Sequence, residues 1–135
     1  MRSSKVTILI IDDDPDIRQS IKAGLEDGDL VANIFTAADV VTGLQLVKAH
    51  KPDVVILDLQ MPLGSGFDFI DQVKQDASLD NVKVLLLTAV ATKENIWASF
   101  DKNIDDFMAK PFDFIELEMR VKLLIAKPSR NARRI

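Results

Sequence analysis

Short, almost wholly apolar runs of strand length alternate with stretches of helical period along most of the chain, and that rhythm admits few folds. Val6-Thr7-Ile8-Leu9-Ile10-Ile11 is a continuous β-branched run, the pattern of a strand covered on both faces. Ile17, Ile21, Gly24 and Leu25 then recur at helical spacing. Residues 30–35 read as a strand more tolerant of polar side chains, with Asn33 inside it, and so nearer a sheet edge. Val40, Val41, Leu44 and Val47 mark a second helix stopped by His50-Lys51-Pro52. Val54-Val55-Ile56-Leu57 is a third strand, and Phe69, Ile70 and Val73 a third helix. Residues 82–87 make a fourth strand, and Ile96, Trp97 and Phe100 the apolar face of a fourth helix, with Asn103 suited to a left-handed turn after it. Phe107-Met108-Ala109 is a brief fifth strand, and Phe114, Leu117, Val121, Leu124 and Ile125 line a fifth helix stopped by Pro128. Five strands alternating with five helices predict right-handed crossovers, and hence an α/β fold: one doubly wound, five-stranded parallel sheet with helices on both faces.

At 135 residues the chain fits one domain with a respectable core. It has no cysteine, which excludes disulfides and thiolate metal sites and suits a reducing compartment. No stretch approaches the roughly 20 apolar residues of a membrane helix, and the start lacks the apolar length of a signal peptide. The expected location is the cytoplasm, with no membrane association. The net charge of −4 is unevenly spread. Lys127, Arg130, Arg133 and Arg134 sit in a final segment without acids; setting these four aside leaves 13 basic residues against 21 acidic, about −8 for the body. An acidic body argues against direct nucleic-acid binding, which needs clustered Lys and Arg. The chain divides into a domain over 1–127 and, at 128–135, a basic tail or the start of a linker to a further domain.

In doubly wound sheets, ligands sit outside the carboxyl ends of the strands. Here the first strand runs into Asp12-Asp13-Asp14, the third into Asp58, the fourth into Thr88 and the fifth into Lys110. These strand ends open on one rim, so carboxylates, a hydroxyl and a lysine converge. Crowded carboxylates repel one another and favour a neutralising cation. Hard oxygen donors suit Mg²⁺, which keeps several waters and accepts a substrate phosphate. Phosphoryl transfer needs mainly positioning and charge neutralisation, and a carboxylate is an accepted nucleophile for it. Asp14, ahead of Pro15, reads instead as a helix N-cap. A Rossmann-type nucleotide site fails because no Gly-rich loop follows the first strand. His50, the only histidine, reads as a surface residue near a helix end.

Over residues 5 to about 127 the chain resembles the receiver domain of two-component response regulators. The resemblance rests on the acidic cluster after the first strand, on Asp58-Leu59-Gln60-Met61-Pro62-Leu63-Gly64-Ser65-Gly66-Phe67, on Thr88-Ala89 and on Lys110-Pro111-Phe112, with intervals of 30 residues from 58 to 88 and 22 from 88 to 110. It implies a flavodoxin-like strand order of 2-1-3-4-5. It also implies that Asp58 is the phospho-acceptor, that Asp13 ligates Mg²⁺ directly and Asp12 through water, and that the backbone carbonyl of Gln60 completes the protein ligands. Lys110 would pair with Asp58 and then with the phosphoryl group; Thr88 and Phe107 would be the switch residues; and Lys110-Pro111 would be a cis peptide. The donor would be a sensor histidine kinase or a histidine phosphotransfer protein. The fourth helix, fifth strand and fifth helix would signal to an effector or attached output domain, or form a dimer on phosphorylation. Departures from the family pattern are Phe107 in place of tyrosine, Asn103-Ile104 in place of Gly-Ala, and uncharged Gln60 and Val90 flanking the site. Two alternatives stand beside this reading. One is a haloacid-dehalogenase-type phosphatase using Asp12 and Asp14, which Pro15 disfavours. The other is a receiver-like interaction module that is never phosphorylated.

Overall fold

A computed structural model describes residues 6–30, 32–59, 66–89 and 104–128. Five strands, β1 (Val6–Ile11), β2 (Ala32–Ala37), β3 (Val54–Leu57), β4 (Lys83–Thr88) and β5 (Asp106–Ala109), form one parallel sheet in the order β2-β1-β3-β4-β5. Four α-helices occur among the described residues: α1 (Pro15–Asp27), α2 (Val40–His50), α3 (Gly66–Gln75) and α4 (Phe114–Ala126). The count is therefore four rather than the five expected, because the helix read around Ile96, Trp97 and Phe100 falls in 90–103, outside the described residues. A single 3-10 turn, Ala77–Leu79, follows α3 and was not anticipated. β2 runs over Ala32–Ala37, against the 30–35 expected. Val6 pairs with Ala32, and Leu30 instead packs its side chain on the core. Of the segment 128–135, only Pro128 is described.

The apolar runs alternate faithfully between two cores, one on each face of the sheet. Leu9 and Ile11 of β1, Val55 and Leu57 of β3, and Val84 and Leu86 of β4 face α2 and α3, where Val40, Val47, Phe69, Ile70 and Val73 meet them. Ile8, Ile10, Val54, Ile56, Leu85 and Leu87 face the other way, onto Ile21 and Leu25 of α1 and Leu117, Val121 and Leu124 of α4. Strand periodicity of two thus becomes two buried layers. Aspartates cap three of the helices: Asp14 accepts from the Asp16 amide, Asp39 from Thr42 and Asp113 from Ile115, each satisfying an N–H that a first turn leaves open.

Two further aspartates complete the ladder at the amino end of the sheet. Asp53 donates its amide to the Thr7 carbonyl at 2.8 Å and accepts the Thr7 amide on its carboxylate at 2.8 Å. Asp105 does the same with Val84, at 3.1 and 2.8 Å, and also receives Lys74 at 3.2 Å.

α1 and α4 approach closely where the Phe114 ring lies over Gly24, and any Cβ there would run into the ring. Two effects oppose each other in Gly24→Ala. Alanine gains about 1 kcal/mol of helix propensity, and overpacking against an aromatic ring costs about 1–3 kcal/mol. The expected outcome is a lower urea midpoint at unchanged m value, a net loss of about 1 kcal/mol. Combination with Phe114→Leu, which vacates the contact, should recover the midpoint in part.

Candidate functional site

Strand order reverses at β1, whose neighbours are β2 and β3, and the crevice beyond the carboxyl ends of β1 and β3 is the expected ligand position. Asp12 leaves β1 there and Asp58 leaves β3. The two segments are stitched together by the Asp58 amide, which donates to the Ile11 carbonyl at 3.0 Å.

Asp12 is 3% exposed, and each of its hydrogen-bonding groups is engaged. Its amide donates to Ala37 O at 3.1 Å, and its carbonyl accepts Arg18 Nη1 at 2.6 Å. Its Oδ1 accepts the Asp14 amide at 2.9 Å, and its Oδ2 accepts Lys110 Nζ at 2.7 Å. Asp58 is 6% exposed, and its Oδ2 accepts the same Lys110 ammonium at 3.3 Å. Asp13 is exposed, yet one carboxylate oxygen each from Asp12, Asp13 and Asp58 fall within 4.8 Å of one another. Asp14 is not in that cluster; its carboxylate caps α1, as the sequence indicated, and is spent on that task rather than on acid catalysis.

Burial of Lys110 is the largest influence on its pKa and pulls it down. The hydrogen bond to Asp12 and the charges of Asp12 and Asp58 together outweigh that pull, and the ammonium is held above the ordinary lysine value. Three carboxylates facing one ammonium still leave the site short of positive charge. Clustered hard oxygen donors with that deficit fit a divalent cation such as Mg²⁺.

Thr88 ends β4 fully buried, and its carbonyl accepts the Lys110 amide at 2.9 Å, which aligns the end of β4 with the lysine-bearing turn. The Lys110-Pro111 peptide is cis. Phe107 is half-buried on β5 and packs against the core on the α2/α3 face. Lys110, Pro111 and Phe112, with Ile17 and Ala89, line a mostly apolar hollow of about 410 Å³ beside the cluster. Gln60 and Val90 lie outside the described residues.

The chain belongs to the response regulator receiver domain family. The family model matches residues 8–122. Response regulator Rre1 of Synechocystis is 33% identical over 123 residues, which is 90% of this chain and 52% of that protein. The KDP operon transcriptional regulatory protein KdpE of Escherichia coli is 32% identical over 122 residues, 90% of this chain and 52% of the relative. The chain thus spans about half the length of these curated relatives. Among solved structures, the signal receiver domain of a DNA-binding response regulator from Colwellia psychrerythraea superimposes with a TM-score of 0.84 at 29% identity, covering 91% of this chain and all of that one. Chemotaxis protein CheY4 of Vibrio cholerae gives 0.80 at 26%, covering 90% and 99%. The protein is therefore a receiver domain of the two-component type, a signalling domain rather than a conventional enzyme. Its fold is flavodoxin-like, with the 2-1-3-4-5 strand order that the resemblance implied.

Two receiver residues that shape the site escaped the sequence reading. Gly66 opens α3 against the Asp58-Leu59 segment, and a Cβ on it would lie 3.1 Å from Leu59 Cα and 3.2 Å from the Asp58 carbonyl oxygen. A Cβ at that distance would be tighter than ordinary contact with backbone, so glycine eases the start of α3 beside Asp58. Arg18, on α1, reaches back to the Asp12 carbonyl. Arg18 carries no sequence signal of its own, and Gly66 stands within the motif after Asp58 without showing its task there, because both act through a close approach that only the fold creates.

Lys110→Met removes the cation shared by two buried carboxylates. It should cost about 2–4 kcal/mol of unfolding free energy at neutral pH, and less with Mg²⁺ present. Because the folded pKa of Lys110 is raised, its stabilisation is complete below the ordinary value of 10.5 and is lost as pH rises through the higher folded value. The gap between wild-type and Lys110→Met urea midpoints should therefore hold from neutral pH to about 10 and close above it; a gap that is flat at higher pH would refute the account.

Proposed function

We propose that this receiver takes a phosphoryl group onto Asp58 from a phosphohistidine of a sensor histidine kinase or histidine phosphotransfer protein, in a Mg²⁺-dependent reaction. The observation that carries the reading is the meeting of Asp12, Asp13 and Asp58 with Lys110 at the strand-order reversal. Asp13 and Asp58, with the backbone carbonyl of Gln60, would hold the ion. Asp12 would reach it through water, a division supported by how fully Lys110 and the Asp14 amide already occupy the Asp12 carboxylate. Bound there, Mg²⁺ would offset charge on the phosphoryl oxygens.

A carboxylate oxygen of Asp58 attacks phosphorus as the P–N bond to the donor imidazole breaks, and the released imidazole takes up a proton from solvent. Lys110 pairs with Asp58 beforehand and stays with the phosphoryl oxygens afterwards. The mixed anhydride brings new charge and acceptor oxygens into the crevice. Thr88 then turns its hydroxyl toward a phosphoryl oxygen, and Phe107 changes rotamer with it. Without a phenolic hydroxyl, Phe107 can bury its ring with no polar group left to satisfy.

The output surface is the segment after β4 together with β5 and α4. Ile115, Met119 and Leu123 form an exposed apolar row on α4, 55–76% exposed, and Arg120 ties that helix to Asp106 of β5 at 2.8 Å. Such a row suits an effector, an attached output domain, or a second phosphorylated copy. Residues 1–127 act as the receiver, and 128–135 as a basic tail or linker. We place the reaction in the cytoplasm, where histidine kinases present their donor groups.

Incubation with acetyl phosphate and Mg²⁺ should add one phosphoryl mass to the intact protein. The gain should vanish with chelator and in Asp58→Asn. Label on another residue would remove Asp58 from its role, and no label under any condition would favour the unphosphorylated interaction module.

A further inference from the structure

We propose that Arg18 is a positioning residue that sets where the Asp13 carboxylate stands, and so tunes the affinity of the site for its divalent cation. The inference rests on the metal-site reading above. Asp13 is the exposed member of the cluster, on the loop between β1 and α1, and the two peptide planes on either side of it set the direction of its Cα–Cβ bond. The plane before it carries the Asp12 carbonyl, which accepts Arg18 Nη1 at 2.6 Å. The plane after it carries the Asp14 amide, which donates to Asp12 Oδ1 at 2.9 Å. The Arg18 amide donates to Asp14 O at 3.1 Å, the first turn of α1, so the guanidinium reaches back to Asp12 from a residue held in the helix. The guanidinium thus tethers the first plane, and the Asp12 carboxylate the second.

A tethered loop delivers an exposed carboxylate already aimed at Asp58 and spares the ordering entropy that cation binding would otherwise cost. The Asp12 carbonyl also lies beside an anionic cluster, where a charged donor is its best partner. A competing account treats Arg18 only as a nearby positive charge. Coulomb repulsion of a divalent cation would then dominate, and removal of Arg18 would tighten binding. Positioning and charge therefore predict opposite signs.

The test uses Mn²⁺ as the probe, since oxygen-donor sites of this kind accept it. The free ion is followed by its electron paramagnetic resonance signal in wild type, Arg18→Met and Arg18→Lys. Arg18→Met keeps the stem and loses the donor; its Kd for Mn²⁺ should rise about tenfold, in the range found when groups that orient metal ligands are removed. Arg18→Lys keeps a point donor without the planar fork, and its Kd should fall between the two. Labelling by acetyl phosphate should show the same shift in half-saturating Mg²⁺, the loss being made up as Mg²⁺ is raised. Wild-type or tighter Mn²⁺ binding in whichever variant folds would overturn the assignment while leaving the metal site intact. Absence of Mn²⁺ binding by the wild type would remove the metal site itself, and the assignment with it.

Discussion

Lys110 holds two carboxylates that would otherwise drive the carboxyl rim of the sheet apart. Its ammonium lies 2.7 Å from Asp12 and 3.3 Å from Asp58, and so bridges the ends of β1 and β3 from the end of β5. Buried like charges are tolerated only when paired and hydrogen-bonded. The bridge is held in place by the Lys110 amide on the Thr88 carbonyl and by the Asp58 amide on the Ile11 carbonyl. Through these contacts the electrostatics of the site and the register of the sheet constrain each other. The three clustered carboxylates outnumber that one ammonium, which is why the crevice could hold a cation.

Rigid support for that balance comes from the two cores. β1, β3 and β4 carry apolar residues on alternate faces without a break, so a strand cannot slip by one residue without turning a charged neighbour inward. The acids at their ends inherit that precision. Gly66 and Gly24 add to it by different means: one lets α3 begin against the backbone of Asp58 and Leu59, the other lets α4 settle on α1. In both places a side chain is omitted so that an element can approach closely.

The parts of this protein that a sequence displays are those that depend on periodicity or on order along the chain. The doubly wound sheet, its buried strands, the Asp14 cap and the rim residues Asp12, Asp13, Asp58, Thr88 and Lys110 are all of that kind. The start of β2 was harder to read, because an edge strand with Asn33 and Thr36 has no unbroken apolar run and its limits are set by pairing with β1. The stacking of His50 on Phe35, with ring centroids 3.9 Å apart, depends on α2 returning its end to β2. Arg18 and Gly66 were illegible for the same reason: each matters through what the fold brings to it. Gln60 and the helix read around Trp97 lie outside the described residues.

Asp53 and Asp105 show why aspartate means different things at the two poles of a parallel sheet. At the amino pole the strands present N–H groups without a neighbour to receive them, and a carboxylate is the natural acceptor. Asp53 takes Thr7 and Asp105 takes Val84, and both acids are spent on the ladder. At the carboxyl pole the strands present carbonyl oxygens, whose partial charge has the same sign as a carboxylate. An aspartate there finds fewer amides and must be met by a cation from elsewhere. Lys110 meets part of that need and leaves part open. The polarity of the parallel sheet, more than the residue type, therefore decides which acids hold the fold together and which stay available for chemistry.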